Sequence, residues 1–141
     1  MTTNEDMDYN SAMEAFAAKH FSTAMQLFLP FAEKGDADAQ HRIAIMQQNG
    51  LGMARNCKDA ARWMRAAAEQ GLAIAQHGLG FMYLEGDCVE QDASEAAKWF
   101  RLAADQGLAG SLTTLAQMYE QGNGVEKDLE EAQKLYKQAG F

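Results

Sequence analysis

Apolar and small residues recur along this chain at intervals of 36 residues. The repeated positions hold glycine, alanine or a large apolar residue: Gly35, Gly71 and Gly107; Ala60, Ala96 and Ala132; and Ile43, Leu79 and Leu115. A period of about 20–50 residues is the mark of a solenoid, whose copies stack because one copy cannot bury its apolar face alone. The pattern predicts a single repeat domain over 6–141, with repeats at 6–35, 36–71, 72–107 and 108–141.

Each repeat is predicted to hold two antiparallel helices joined by a short loop. The loops begin with a glycine that suits a left-handed helix end: Gly50, Gly86 and Gly122. The second helices open on N-cap residues, Asn56, Asp92 and Asp128, followed at capping-box spacing by Asp59, Glu95 and Glu131. In the first repeat we expect helices over 6–19 and 21–34, with Pro30 bending or locally breaking the second helix. Residues 1–5 are predicted to form a frayed tail.

The string AQHGLGFMYLEG, followed by EAAKWFRLAADQG, resembles the Sel-one-like (Sel1-like) repeat, a relative of the tetratricopeptide repeat with a longer loop inside the helix pair. The resemblance is strong over 36–140 and shortened over 6–35, and it departs from the pattern at Gln47, Cys88 and Leu135. It implies an all-α fold, a right-handed α-solenoid of about four antiparallel helix pairs in a tetratricopeptide-like superhelix. It also implies that the first helix of each pair lines a concave face, and that the protein is bacterial.

Small residues at Ala12, Ala44, Gly80 and Ala116 are interpreted as the points where the two helices of a pair cross most closely. Large apolar residues around them are predicted to form the core: Leu27, Phe28, Ile43, Met46, Trp63, Met64, Leu79, Met82, Trp99, Phe100, Leu115, Met118 and Tyr136.

Helical spacing from the crossing positions selects the residues that point towards the concave face. They are Tyr9, Met13, Phe16, His41, Ile45, Gln48, His77, Phe81, Leu84, Thr113, Gln117 and Glu120, with Arg42 beside them. A largely apolar face favours binding of a peptide or helix of a partner protein, so we expect a non-catalytic adaptor. Two alternatives stay open: the side chains pack only against neighbouring helices, or the groove or a terminal face forms a homodimer.

A carboxylate clamp for acidic C-terminal peptides is not expected. That mode requires charged side chains at inward positions where this chain has Tyr9, Met13, Ile74 and Gly78, and Arg42 alone would fit.

Charge and composition exclude several classes of partner. A formal net charge of −8 argues against nucleic acid, whose phosphates require clustered Lys and Arg. No apolar run is long enough for a membrane span, and the acidic, polar start resembles neither a signal nor a transit peptide, so a cytoplasmic protein is predicted. Cys57 and Cys88 show no pairing within one repeat, so free thiols are expected.

No catalytic, metal or cofactor site is predicted. His41 and His77 occupy equivalent positions, but a metal site needs further ligands and the next repeat offers Thr113. No Ser/His/Asp or Cys/His grouping recurs at helical spacing, which leaves an enzyme as the third alternative.

Overall fold

The computed structural model describes residues 4–141, which contain eight α-helices and no β-strand. The helices are α1 (Asn4–Ala17), α2 (Phe21–Glu33), α3 (Ala37–Asn49), α4 (Cys57–Glu69), α5 (Ala73–Glu85), α6 (Ala93–Asp105), α7 (Ala109–Gln121) and α8 (Leu129–Gln138). This confirms the predicted all-α fold with two helices in each repeat. None of these helices has the length and apolar character of a membrane span.

The chain divides into two compact units, Met1–Gln70 and Gly71–Phe141. The first unit contains α1–α4 and the second α5–α8, and within each unit every helix packs on the helix that follows it in sequence. The division falls at the predicted boundary between the second and third repeats, and the single domain over 6–141 stays a prediction. Of the predicted tail, residues 1–3 lie outside the described residues, while Asn4 and Glu5 belong to α1.

Polar N-caps begin the second helices as predicted. Asn56 Oδ1 accepts a hydrogen bond from the Asp59 amide at 3.1 Å, and Asp92 and Asp128 cap α6 and α8 in the same way. The amide of each cap residue donates to a carbonyl in the first helix of its own pair, at Gln47, Tyr83 and Tyr119 respectively. Each cap therefore starts one helix and also ties it to its partner.

The loop inside each pair has the same backbone shape in all three long repeats. Gly50, Gly86 and Gly122 end their helices in the left-handed conformation, with φ of 64°, 69° and 67°. Two residues later Gly52 and Gly124 are again left-handed, and Cys88 adopts the same conformation with φ of 66°. A residue with a side chain rarely adopts this conformation, so the loop geometry is imposed on Cys88 by the rest of the repeat.

The second loop glycine also permits a close backbone contact with the preceding pair. A Cβ atom on Gly124 would lie 2.3 Å from the Ala93 carbonyl oxygen, and one on Gly52 would lie 2.7 Å from Phe21 Cβ. Ser94 Oγ donates to the Gly124 carbonyl at 3.3 Å, and Ser22 Oγ makes the equivalent bond to Gly52 at 3.0 Å. Each of these two loops is thereby fastened to the start of the previous second helix.

Pro30 does not break α2, which continues through it to Glu33. Pro30 has no amide hydrogen to donate to the Gln26 carbonyl, so one bond of the helical ladder is absent without ending the helix, and the predicted bend stays a prediction.

Most of the predicted core is buried. Ten of the thirteen predicted residues are buried, and Leu27, Trp99 and Tyr136 are only half-buried. Leu135 is buried in α8, while the Tyr136 hydroxyl reaches the surface and donates to Glu120. A buried tyrosine needs a partner for its hydroxyl, so the wholly apolar Leu135 is the better core residue of the two.

The expectation of free thiols is wrong, because neither Cys57 nor Cys88 is a free thiol. The prediction relied on the absence of a cysteine pair within any one repeat. That criterion does not show whether a cysteine is oxidised in another way. Thiols are kept reduced in the cytosol, so the cytoplasmic location stays a prediction that this finding does not favour.

Ala12, Ala44 and Ala116 are fully buried and Gly80 is buried as well, as positions of close helix crossing require. At Gly80 the Phe100 ring of α6 occupies the space of a side chain. A Cβ atom there would lie 2.9 Å from Phe100 Cε1 and 3.0 Å from Cδ1 and Cζ.

Gly80→Ala should therefore destabilise the protein by about 1–3 kcal/mol, because the ring must move out of its packed position. Gly110→Ala is the matched control in α7, where the new Cβ would meet the His77 Cε1 atom at 3.2 Å. We expect the control to lose less stability than Gly80→Ala, because one atom of the His77 ring must shift slightly there, whereas three atoms of the Phe100 ring lie within 3.0 Å of the new Cβ. Chemical denaturation monitored by circular dichroism measures both, and equal losses would contradict the assignment of Gly80 as a crossing position.

Candidate partner-binding faces

The predicted partner-binding residues divide between the two compact units. Tyr9, Met13 and Phe16 lie on α1, and His41, Arg42, Ile45 and Gln48 lie on α3 in the first unit; His77, Phe81 and Leu84 lie on α5, and Thr113, Gln117 and Glu120 lie on α7 in the second. All are first helices of their pairs. We call these two sets the first face and the second face.

Tyr9 on the first face is held by contacts within its own unit. Its hydroxyl donates to Asp38 Oδ2 at 2.5 Å, and its ring meets Phe28 and Phe31 edge-on at centroid distances of 5.7 and 5.1 Å. Burial and the neighbouring Asp38 carboxylate raise the pKa of the Tyr9 hydroxyl. Tyr9 thus orders α1 against α2 and α3, and the part of it left for a partner is small.

Arg42 completes this cluster. Its Nε donates to the same Asp38 oxygen at 3.2 Å, and its guanidinium lies over the Phe16 ring, 5.0 Å from the centroid. The charge of Arg42 is therefore paired within the first unit, and the absence of a carboxylate clamp stays a prediction. Asp38 was not among the predicted residues, although its position four residues before Arg42 on one helix favours an ion pair.

His41 is buried, and desolvation lowers the pKa of its imidazole against the opposing effect of Asp38. It lies on α3 beside Gln40 and Gln47, two further buried polar side chains. The Gln40 amide donates to the Ala32 carbonyl at 3.0 Å, but Gln47 Oε1 has no hydrogen-bond partner. Helix α3 thus buries three polar side chains, whereas Met13, Phe16 and Ile45 supply the half-buried apolar part of the first face.

The second face is built on a group of three rings. His77 meets Phe81 edge-on at 4.9 Å and Phe100 at 5.5 Å, and Phe81 meets Phe100 at 5.0 Å. His77 Nδ1 lies 2.7 Å from Ser111 Oγ, and burial lowers the pKa of the imidazole. A neutral imidazole therefore links α5 to α7 and fixes the orientation of Phe81.

Ser111 supports the second face through its contact with His77, and the sequence reasoning did not predict this role. It occupies the repeat position held by Ala39 and Ala75 and is completely buried. The fourth repeat has a serine at this position where the two preceding repeats have alanine. This single polar residue among equivalent alanines could have predicted a hydrogen bond to a neighbouring helix.

The remaining residues of the second face differ in character. Leu84 packs against the apolar core of the unit, and Thr113 Oγ1 donates to the Ala109 carbonyl in its own helix at 2.6 Å. Glu120 accepts a hydrogen bond from the Tyr136 hydroxyl, which raises the pKa of that tyrosine. Gln117 is exposed. The apolar part of the second face is therefore confined to α5, and α7 contributes a polar flank.

Both faces present half-buried rather than fully exposed apolar side chains. None of the predicted residues is among the large apolar side chains with the greatest exposure, which are Met7, Ile74, Leu102, Leu129 and Phe141. The alternative that the candidates pack only against neighbouring helices therefore accounts for part of their surface. Their role in binding stays a prediction.

Comparison with known families finds three consecutive matches to the Sel1 repeat, over residues 37–72, 73–108 and 111–140. Among solved structures, the chain is similar to a Sel1 repeat protein from Oxalobacter formigenes, with a TM-score of 0.88 and 32% identity over 93% of this chain and 54% of that chain. No match was found among curated proteins.

Two further bacterial structures share the fold. The c5321 protein, a protective antigen of uropathogenic Escherichia coli strains, has a TM-score of 0.80 and 35% identity over 82% of this chain and 25% of that chain. Cysteine rich protein B of Helicobacter pylori has a TM-score of 0.64 and 18% identity over 97% of this chain and 89% of that chain, which shows the fold alone. This chain thus spans about half of the Oxalobacter protein and a quarter of c5321.

The buried imidazole on the second face predicts a loss of stability in acid. The folded pKa of His77 lies below its unfolded value of 6.5, so the unfolded chain binds more protons as the pH falls below 6.5 and the folded state is disfavoured. His77→Asn removes this titration, and its melting temperature should fall less between pH 7.5 and pH 5 than that of the unchanged protein. His20→Asn, at an exposed turn, is the control for replacing an imidazole elsewhere in the chain. A variant at His77 with an unchanged pH dependence would contradict this assignment.

Proposed function

The chain belongs to the Sel1 repeat family, and from that premise we propose that it is a non-catalytic adaptor that holds a peptide or helix of a partner protein against its first helices. Sel1 repeat proteins generally mediate protein–protein interactions, and their fold is typically a non-catalytic scaffold. The residues proposed to contact the partner are the members of the first and second faces.

The observation that supports this proposal is the group of three rings on the second face, in which His77 and Phe81 are half-buried and pack with the fully buried Phe100. Phe81 contacts His77 and Phe100, and Leu84, three residues later on α5, is half-buried like Phe81. A side chain that is ordered before binding loses little conformational entropy when a partner docks. Two apolar side chains one turn apart are suited to the apolar anchors of an extended peptide or a helix.

The first face supports the same proposal with different chemistry. Phe16 and Ile45 supply apolar surface, and the Arg42 guanidinium that covers Phe16 is itself held by Asp38. A partner at this face meets an ordered surface in which the cation is already paired. We therefore expect recognition here to depend on shape and apolar contact, with little dependence on salt.

Phe81→Glu should reduce partner binding at least tenfold, because a carboxylate replaces the apolar anchor of the second face. The matched control is Leu102→Glu, which introduces the same charge at a 47% exposed leucine on α6, a second helix. A displayed library of random peptides provides the probe, and peptides selected on the unchanged protein should retain their affinity for the control.

Circular dichroism and the melting temperature must first show that both variants are folded, since Phe81 also packs on Phe100. Equal affinity of the selected peptides for the Phe81 and Leu102 variants would refute binding at the second face. An Ile45→Glu variant tests the first face in the same assay.

A further inference from the structure

Acidic side chains are concentrated at one end of the second unit. Residues 71–141 carry eleven Asp and Glu and five Lys and Arg, which gives a net charge of −6, whereas the net charge of residues 1–70 is −2. Ten of the eleven acidic residues lie in the segments 85–95 and 120–131, which contain one basic residue, Lys127. Each segment runs from the end of a first helix into the first turn of the second helix that follows it.

These two segments lie at the same end of the unit, beside the start of α6. The Asp92 amide, just before α6, donates to the Tyr83 carbonyl near the end of α5 at 2.9 Å. Ser94 Oγ, in the first turn of α6, donates to the Gly124 carbonyl just after α7 at 3.3 Å. The C-terminal ends of α5 and α7 are therefore neighbours, and the negative ends of their helix dipoles add to the charge of the acidic residues.

Two of these acidic residues, Glu85 and Glu120, belong to the first helices and flank the apolar part of the second face. Glu85 lies four residues after Phe81 on the same side of α5, and Glu120 has in α7 the repeat position that Leu84 has in α5. Both are exposed, and neither forms an ion pair with another side chain in the described part of the chain. The Tyr136 hydroxyl donates to Glu120 and orders its carboxylate without neutralising it.

Other acceptors at this end of the unit are already occupied. On the second helices, Glu95 pairs with Lys98, and Glu131 pairs with Arg101. The backbone carbonyls of residues 82–84 accept hydrogen bonds from the loop that follows α5. A cation that approaches the second face therefore finds its partners in the two exposed carboxylates of the first helices.

From these observations we propose that the partner segment at the second face is basic. It presents an apolar side chain to Phe81 and Leu84 and, about one helical turn farther along, Lys or Arg side chains to Glu85 and Glu120. Burial of the apolar side chain supplies most of the affinity, because exposed ion pairs each contribute little. The carboxylates supply selectivity against acidic segments and speed the encounter with basic ones. This inference rests on the proposed adaptor function and names the chemical class of its partner.

Selection of displayed random peptides on the full chain at about 0.05 M salt tests the proposal. Phe81→Ala, which removes the apolar contact without adding charge, identifies the peptides that bind at the second face. Among these peptides we expect Lys and Arg to be enriched about twofold or more over the unselected library, close to an aromatic or aliphatic residue. Synthetic copies should bind about tenfold more weakly at about 0.5 M salt, because salt screens exposed ion pairs.

Glu85→Gln combined with Glu120→Gln should weaken the binding of these peptides about three- to tenfold at about 0.15 M salt and remove most of its salt dependence. The matched control is Glu90→Gln combined with Glu130→Gln, which removes two exposed charges from the same acidic segments outside the first helices. The control should change the affinity by less than about twofold, because salt screens charges away from the bound cations. Circular dichroism confirms that all variants are folded.

The outcomes separate this inference from the function on which it rests. Peptides that depend on Phe81 but are not enriched in Lys and Arg would overturn the basic partner and leave the adaptor function in place. Equal affinity for the Glu85 and Glu120 variant and for its control would do the same. If no selected peptide depends on Phe81, binding at the second face is refuted and this inference is refuted with it.

Discussion

Each helix pair depends on one steric constraint, which is that the two helices cross at a residue with no more than a methyl side chain. Gly80 shows the limit of this constraint, because the Phe100 ring lies where its Cβ would be. The same ring contacts His77 and Phe81, so the approach of α6 to α5 determines the position of the rings on the second face. The surface proposed to bind a partner is therefore a product of packing inside the pair.

The loops keep this approach in register. A cap residue such as Asp92 uses its carboxylate for the first turn of α6 and its amide for the Tyr83 carbonyl of α5. The loop between these two helices has the same conformation whether its third residue is glycine or Cys88. Hydrogen bonds and helix packing therefore impose the loop shape. The left-handed backbone conformation is unfavourable at Cys88, and the contacts within the helix pair offset this unfavourable free energy.

Period and residue size made the helices, the crossings and most of the core predictable, because the same contact is repeated every 36 residues. The contacts of Tyr9 with Asp38 and of His77 with Ser111 were not predictable in this way, because each joins two neighbouring repeats through residue types that the other repeats do not hold at the same positions. The sequence pattern also did not show that Leu135 is buried and Tyr136 only half-buried. This difference depends on the Tyr136 hydroxyl, which reaches Glu120 at the surface. A repeat pattern thus predicts the contacts that all copies have in common. The candidate faces consist largely of side chains and contacts that differ from one copy to the next.

The unpaired oxygen of Gln47 illustrates how such differences accumulate. In the second unit Arg101 of α6 donates to the Tyr119 hydroxyl of α7 at 3.0 Å. The equivalent positions in the first unit hold Leu29 and Gln47, so the donor is missing and the Gln47 Oε1 atom is buried without a bond. Neither an arginine at 29 nor a tyrosine at 47 would restore this contact alone. The two positions therefore act together, and each side chain has a partner across the junction between neighbouring pairs only when the other position holds the matching residue.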